Sequence, residues 1–94
     1  MLVRDRWLAT VNEHSIEVET HARSIWTFIA SLFVDHERVD HVTYAALKSE
    51  FSLRTRISTP PSDYVVRVEL RHGMLGTRAV LYVNGAEIAF PRVE

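Results

Sequence analysis

The side chains most able to do chemistry in this 94-residue chain are five histidines among twelve carboxylates. Asp35-His36-Glu37 and Asp40-His41 cluster around one tight turn, and His21 or His72 could approach from neighbouring turns. Imidazole and carboxylate together can hold a transition metal. Their spacing matches no recognised ligand motif, and a hairpin end is ordinarily polar and solvated. No metal and no other cofactor is expected. A hydrolase needs a nucleophile, a base and an orienting group converging on one pocket. Serines, histidines and aspartates are present, but no Gly-x-Ser-x-Gly elbow is. Glu17 and Glu19 fall on one face of one strand, where they read as cross-strand ion-pair partners. The absence of cysteine removes thiolate nucleophiles, disulfides and sulfur-ligated zinc. The chain therefore reads as not an enzyme.

Arginine supplies ten of the eleven cations, with Lys48 the only lysine. If segments 51–57, 64–71 and 77–83 are neighbouring strands, Arg54, Arg56, Arg67, Arg71 and Arg78 share an outward face with Tyr82. Arginines beside an aromatic ring can stack on bases and pair with phosphates. The formal net charge of −1 weighs against strong nucleic-acid binding. An acidic protein partner fits the same face, as does the chain's own acidic half. Residues 1–47 hold four cations against seven acids, and residues 48–94 hold seven against five.

Period-two alternation is the strongest pattern. Ile16 and Val18 alternate with glutamates. Phe51, Leu53, Thr55 and Ile57 alternate with polar residues, as do Val66, Val68 and Leu70. Such segments are strands with one dry face, as in antiparallel sheet. Asn84-Gly85 is a type I′ hairpin signal, because both residues tolerate positive φ. Asp35-His36 occupies the matching place earlier, and Asn12-Glu13-His14 reads as another tight turn. His72 to Gly76 reads as a further hairpin connection. Pro60-Pro61 cannot sit in a central strand and reads as the clearest linker. Segment 42–48 reads equally as a helical turn or as a strand ending in a loop.

An internal repeat runs through this pattern. Ile16-Glu17-Val18-Glu19, a turn and Ala30-Ser31-Leu32-Phe33-Val34-Asp35 resemble Val66-Arg67-Val68-Glu69, a turn and Ala79-Val80-Leu81-Tyr82-Val83-Asn84. Each copy follows a further strand. The expected fold is all-β: one domain over residues 1–94, an antiparallel sandwich of about eight strands built from two similar four-stranded units, 5–45 and 49–91. The expected core is Val11, Ile16, Val18, Trp26, Phe28, Leu32, Val34, Phe51, Leu53, Val66, Val68, Leu70, Leu81 and Val83.

The hairpin from Val66 to Ile88 resembles the Fas apoptotic inhibitory molecule family, through Glu69, His72-Gly73, Gly76, Arg78 and Tyr82-Val83-Asn84-Gly85. Ser15 to Val39, centred on Leu32-Phe33-Val34-Asp35, is similar to that family's later hairpin. The resemblance spans roughly half the chain and implies an antiparallel β-sandwich of repeated hairpins that acts through protein contacts.

One strand is apolar on both faces. Trp26, Phe28, Ala30, Leu32 and Val34 point one way, and Ile25, Ile29 and Phe33 the other. An uncovered apolar strand is an aggregation hazard, so something should cover it. A second copy of the chain is the expected cover, with Ile25, Ile29 and Phe33 at the contact. No apolar run approaches the roughly 20 residues of a membrane span, and Met1 to Arg6 shows no signal-peptide core. The expectation is a small cytoplasmic interaction module that self-associates, with binding to single-stranded nucleic acid or an acidic partner through the arginine face as the alternative.

Overall fold

The alternating segments fold into eight antiparallel strands and no helix among the residues that the computed structural model describes, 5–45, 49–73 and 76–93. The strands are β1 (Asp5–Val11), β2 (His14–Ala22), β3 (Thr27–Val34), β4 (Glu37–Ala45), β5 (Ser49–Thr59), β6 (Ser62–Gly73), β7 (Gly76–Val83) and β8 (Ala86–Ile88). They form two meanders, ordered β1-β2-β3-β4 and β5-β6-β7-β8. One face of each sheet is buried against the other, as a sandwich requires. The twelve residues of β6 would span about 40 Å at about 3.3 Å each. That matches the long axis of a molecule measuring 44 × 22 × 20 Å. The β1–β2, β3–β4, β5–β6 and β7–β8 turns therefore gather at one end. The β2–β3 and β6–β7 connections lie at the other.

The repeat holds at the level of register. In the first sheet Ile16 pairs with Val34 and Val18 with Leu32. In the second, Val66 pairs with Val83 and Val68 with Leu81. Both units also extend this ladder in the same way. The Asp35 N–H donates to the Ser15 carbonyl and the Ser15 N–H to Asp35 Oδ1, each at 2.9 Å. The Asn84 N–H donates to the Val65 carbonyl and the Val65 N–H to Asn84 Oδ1, again each at 2.9 Å. A short polar side chain at the first turn position thus does one structural job in both sheets.

Turn chemistry sets these registers. Asn12-Glu13, Asp35-His36 and Asn84-Gly85 all adopt positive φ at both positions, as type I′ hairpins demand. Pro60-Pro61 is not a linker. It is the two-residue turn that joins β5 to β6, with a cis bond between the prolines. Proline's lack of an N–H bars it from a central ladder but not from a hairpin tip. Residues 42–45 complete β4 as strand, while 46–48 fall outside the described residues. The hairpin expected over 72–76 forms, with Gly73 facing Gly76. Its Met74 and Leu75 lie outside the described residues.

The core follows the alternation with additions. Ile16, Val18, Leu32, Leu53, Val66, Val68, Leu70, Leu81 and Val83 are buried, and Val11, Phe28, Val34 and Phe51 pack against them. Trp7, Ala30, Tyr44 and Ile57 join them. Trp26 does not: it is 68% exposed, because β3 begins only at Thr27.

The sheet edges are managed at several points. Arg6 and Leu8 of β1 exchange backbone hydrogen bonds with Val93 and Pro91, so the C-terminal segment crosses from the second sheet and covers the first sheet's edge. A register shift between Leu32 and Phe33 makes room for Val39 on β4. Asp40 follows it and accepts the Arg54 N–H at 2.9 Å, occupying a mid-strand donor on the outer edge of β5 across the sheet junction.

Candidate functional sites

Three surfaces present chemistry. The first is the outer face of the second sheet. Pairing of β5, β6 and β7 sets Arg54 beside Arg67, Arg67 beside Tyr82 and Arg71 beside Arg78. Arg56 lies on the same face, opposite Val65, so all six expected residues share one face but are spread along the length of its strands. The Arg67 guanidinium lies 4.5 Å from the centre of the Tyr82 ring, a cation–π contact. Carboxylates interleave with them. Arg67 pairs with Glu69 at 3.0 Å, Arg71 with Glu50 at 3.7 Å and Arg56 with Asp63 at 3.9 Å. A shallow open groove of about 270 Å³ runs between Glu50, Ser52, Glu69 and Arg71. The face is basic but largely compensated.

The second surface is the outer face of the first sheet and the hairpin tip beyond it. Ile29 and Phe33 lie on that face and are half-buried. Leu8, Glu17 and Phe33 form one row across β1, β2 and β3. Glu17 is 8% exposed although it faces outward, and the Arg6 Nε–H donates to its Oε2 at 2.5 Å. Ser31 is buried on the same face. Ile25 is not part of the strand. It lies with Trp26 in the turn between β2 and β3, 79% exposed. Ser24 stiffens that turn: its Oγ accepts the N–H groups of Trp26 and Thr27 at 3.1 and 3.2 Å and bonds Thr27 Oγ1 at 2.9 Å. The Arg23 and Ser24 N–H groups both donate to the Thr27 carbonyl. Two large apolar side chains therefore project from an ordered tip.

The third surface lies at the opposite end, where the turns gather, and sequence reasoning did not find it. His14 opens β2. Its Nδ1 is 2.7 Å from Asp35 Oδ2 and its Nε2 is 3.2 Å from Thr59 Oγ1. The Asn12 amide donates to the Tyr64 hydroxyl. Asn12, His14, Thr59 and Tyr64 border an open groove of about 280 Å³ that Glu13, Pro60, Pro61 and Ser62 complete, with Asp35 behind the His14 ring. The His14 hydrogen bond and the Ser15 N–H hold the Asp35 carboxyl below the usual carboxylate range. One signal could have located this site. Pairing Ile16 with Val34 makes Asp35 the next residue beyond the ladder, beside Ser15 and His14.

The histidines and acids around the Asp35 turn do not converge in this way. Asp35 turns to His14 rather than to His36 or His41, and Asp40 turns to the β5 backbone. His72 is drawn to the other end, where its Nδ1 bonds Thr77 Oγ1 at 2.7 Å among Phe28, Tyr44 and Phe51. Among the described residues no three acidic or histidine side chains gather as a metal ion would require, and no helix is long and apolar enough to cross a membrane.

Neither a protein-family model, nor a curated protein, nor a solved structure matches this chain.

Proposed function

We propose that this protein is a small interaction module that binds a second copy of itself through the outer face of its first sheet and the adjoining tip. The observation that carries this reading is the Ile25-Trp26 pair. A tryptophan indole and an isoleucine side chain, mostly in water on a turn already ordered by Ser24, lose apolar hydration on binding and little conformational freedom. Aromatic anchors of this kind dominate interface energies. Ile29 and Phe33 continue the apolar surface along β3. The resemblance to hairpins of the Fas apoptotic inhibitory molecule family implies the same mode of action, by protein contact.

The two tryptophans provide a test. Trp7 is 4% exposed and Trp26 is 68% exposed, so iodide quenching of intrinsic fluorescence reports on Trp26. Quenching should fall as protein concentration rises and the tip becomes buried, and Trp26→Phe should abolish that dependence. Quenching that stays constant over the whole concentration range would count against the reading.

A second reading rests on the Arg67–Tyr82 cation–π pair and the other arginines on the same sheet face. It makes the second sheet a surface for an anionic partner, single-stranded nucleic acid or an acidic protein. Its signature is affinity lost steeply with salt. The carboxylates interleaved on that face make it the weaker of the two.

A further inference from the structure

The His14 cluster differs from its counterpart in the other unit in a way that folding does not require. Register places His14 opposite Val11 and Tyr64 opposite Ile57, and the repeat makes His14 and Tyr64 equivalent, as it does Asp35 and Asn84. Asn84 makes both backbone hydrogen bonds that Asp35 makes. An amide therefore satisfies the turn. The first unit nevertheless carries a carboxylate, and its second oxygen holds a histidine ring. The other ring nitrogen meets a hydroxyl contributed by the opposite sheet.

A carboxylate, an imidazole and a hydroxyl in that order are the parts of a nucleophilic relay. A carboxylate beside Nδ1 favours the tautomer that carries its proton there, which leaves the Nε2 lone pair facing the hydroxyl. That nitrogen lies 3.2 Å from Thr59 Oγ1, within reach of the hydroxyl proton. The prolines after Thr59 offer no N–H to a substrate. Donors on this side of the groove are side chains. The Tyr64 hydroxyl accepts from Asn12, so its own proton remains available to a developing oxyanion. The groove is open to solvent and small.

We propose that Thr59, His14 and Asp35 form an acyl-transfer site for small activated esters, independent of the binding surface at the other end of the molecule. Thr59 Oγ1 bonds to the ester carbonyl carbon while its proton passes to His14 Nε2. The bond from that carbon to the leaving alcohol breaks, and the alcohol oxygen takes the proton from His14. Water then attacks the acyl-threonine and gives a proton to His14. The bond to Thr59 Oγ1 breaks and that oxygen takes the proton back. Ester and water become acid and alcohol, and the relay is restored. Thr59 and His14 are the catalytic residues, and Asp35 is a positioning residue.

The experiment uses the full chain with p-nitrophenyl acetate. Release of p-nitrophenolate by Thr59→Val and by His14→Gln should be slower than by the unmodified protein by about a hundredfold, the lower end of what a positioned base supplies. Thr59→Ser should restore release. Asp35→Asn should fold, because Asn84 already shows that an amide supports this turn. It should slow release and shift the pH profile of the remaining activity, which loss of turn structure alone would not do. Mass analysis after acid quench should find one acetyl group on the peptide containing Thr59. Equal release by Thr59→Val and the unmodified protein would overturn the proposal, as would acetyl found only on His14. So would release no faster than from free imidazole at the same concentration.

Discussion

Tyr44 is the residue least at ease in its surroundings. Its ring stacks with Phe28 at 5.7 Å and lies 4.5 Å from Phe51 across the sandwich. Its hydroxyl is buried and makes no hydrogen bond of ordinary geometry, although the Thr20 and Thr77 hydroxyls approach it. Burial is the main reason its pKa is pushed up to about 12, and the nearby threonines oppose that shift. A raised acid pKa means that the folded state holds its proton where the unfolded state has released it. Stability is then intact below about pH 10 and falls as pH rises from there toward 12, by up to about 3 kcal/mol in total. Denaturant unfolding at a series of alkaline pH values should show this decline, and Tyr44→Phe should flatten it. Near neutral pH the same substitution should leave stability unchanged or raise it by about 1 kcal/mol, because a poorly bonded hydroxyl leaves the core. A clear loss of stability in Tyr44→Phe would show that the hydroxyl is well partnered. The sequence signalled none of this. Tyr44 fell in a segment without alternation, where strand and helical turn were equally readable.

At the scale of elements, the tight turns decide register and can be tested against one another. The second turn position is Glu13 at φ 70°, His36 at φ 72° and Gly85 at φ 82°. Left-handed backbone costs a residue with a Cβ about 1–2 kcal/mol and glycine almost nothing. Gly85→Ala should lower stability by about 1 kcal/mol, and for backbone reasons alone, since a Cβ there would meet no atom within 4 Å. Glu13→Gly should raise it by up to about 1 kcal/mol. Thermal or denaturant unfolding measures both, and a destabilised Glu13→Gly would contradict the assigned turn. These turns were legible because Asn-Gly and its relatives act locally. Pro60-Pro61 misled because its proscription from ladders says nothing about hairpin tips. Trp26 misled for a related reason. Alternation continued back to it on paper, but Ser24 captures the backbone first and ends the strand at Thr27.

For the whole molecule, the repeat was the most informative feature. It implied two four-stranded units with matching inward faces, and the paired registers of Val18 with Leu32 and Val68 with Leu81 bear that out. The arginine alignment was legible for the same reason, since period-two faces follow once neighbouring strands are known. Contacts that close the sandwich were not legible. Asp40 reaching the Arg54 N–H, the C-terminal segment covering β1 and His14 meeting Thr59 all join residues remote in sequence. Alternation reports which way a side chain points, not which sheet edge or turn it will meet. In the function proposed above, the first sheet's outer face and the Ile25-Trp26 tip join two copies of the chain. Native mass measurement at low and high salt tests it most directly. A dimer is expected at both, because apolar burial is not screened by salt, and a monomer for the double variant Ile25→Ser with Trp26→Ser. A monomer at both salt concentrations for the unmodified chain would contradict it.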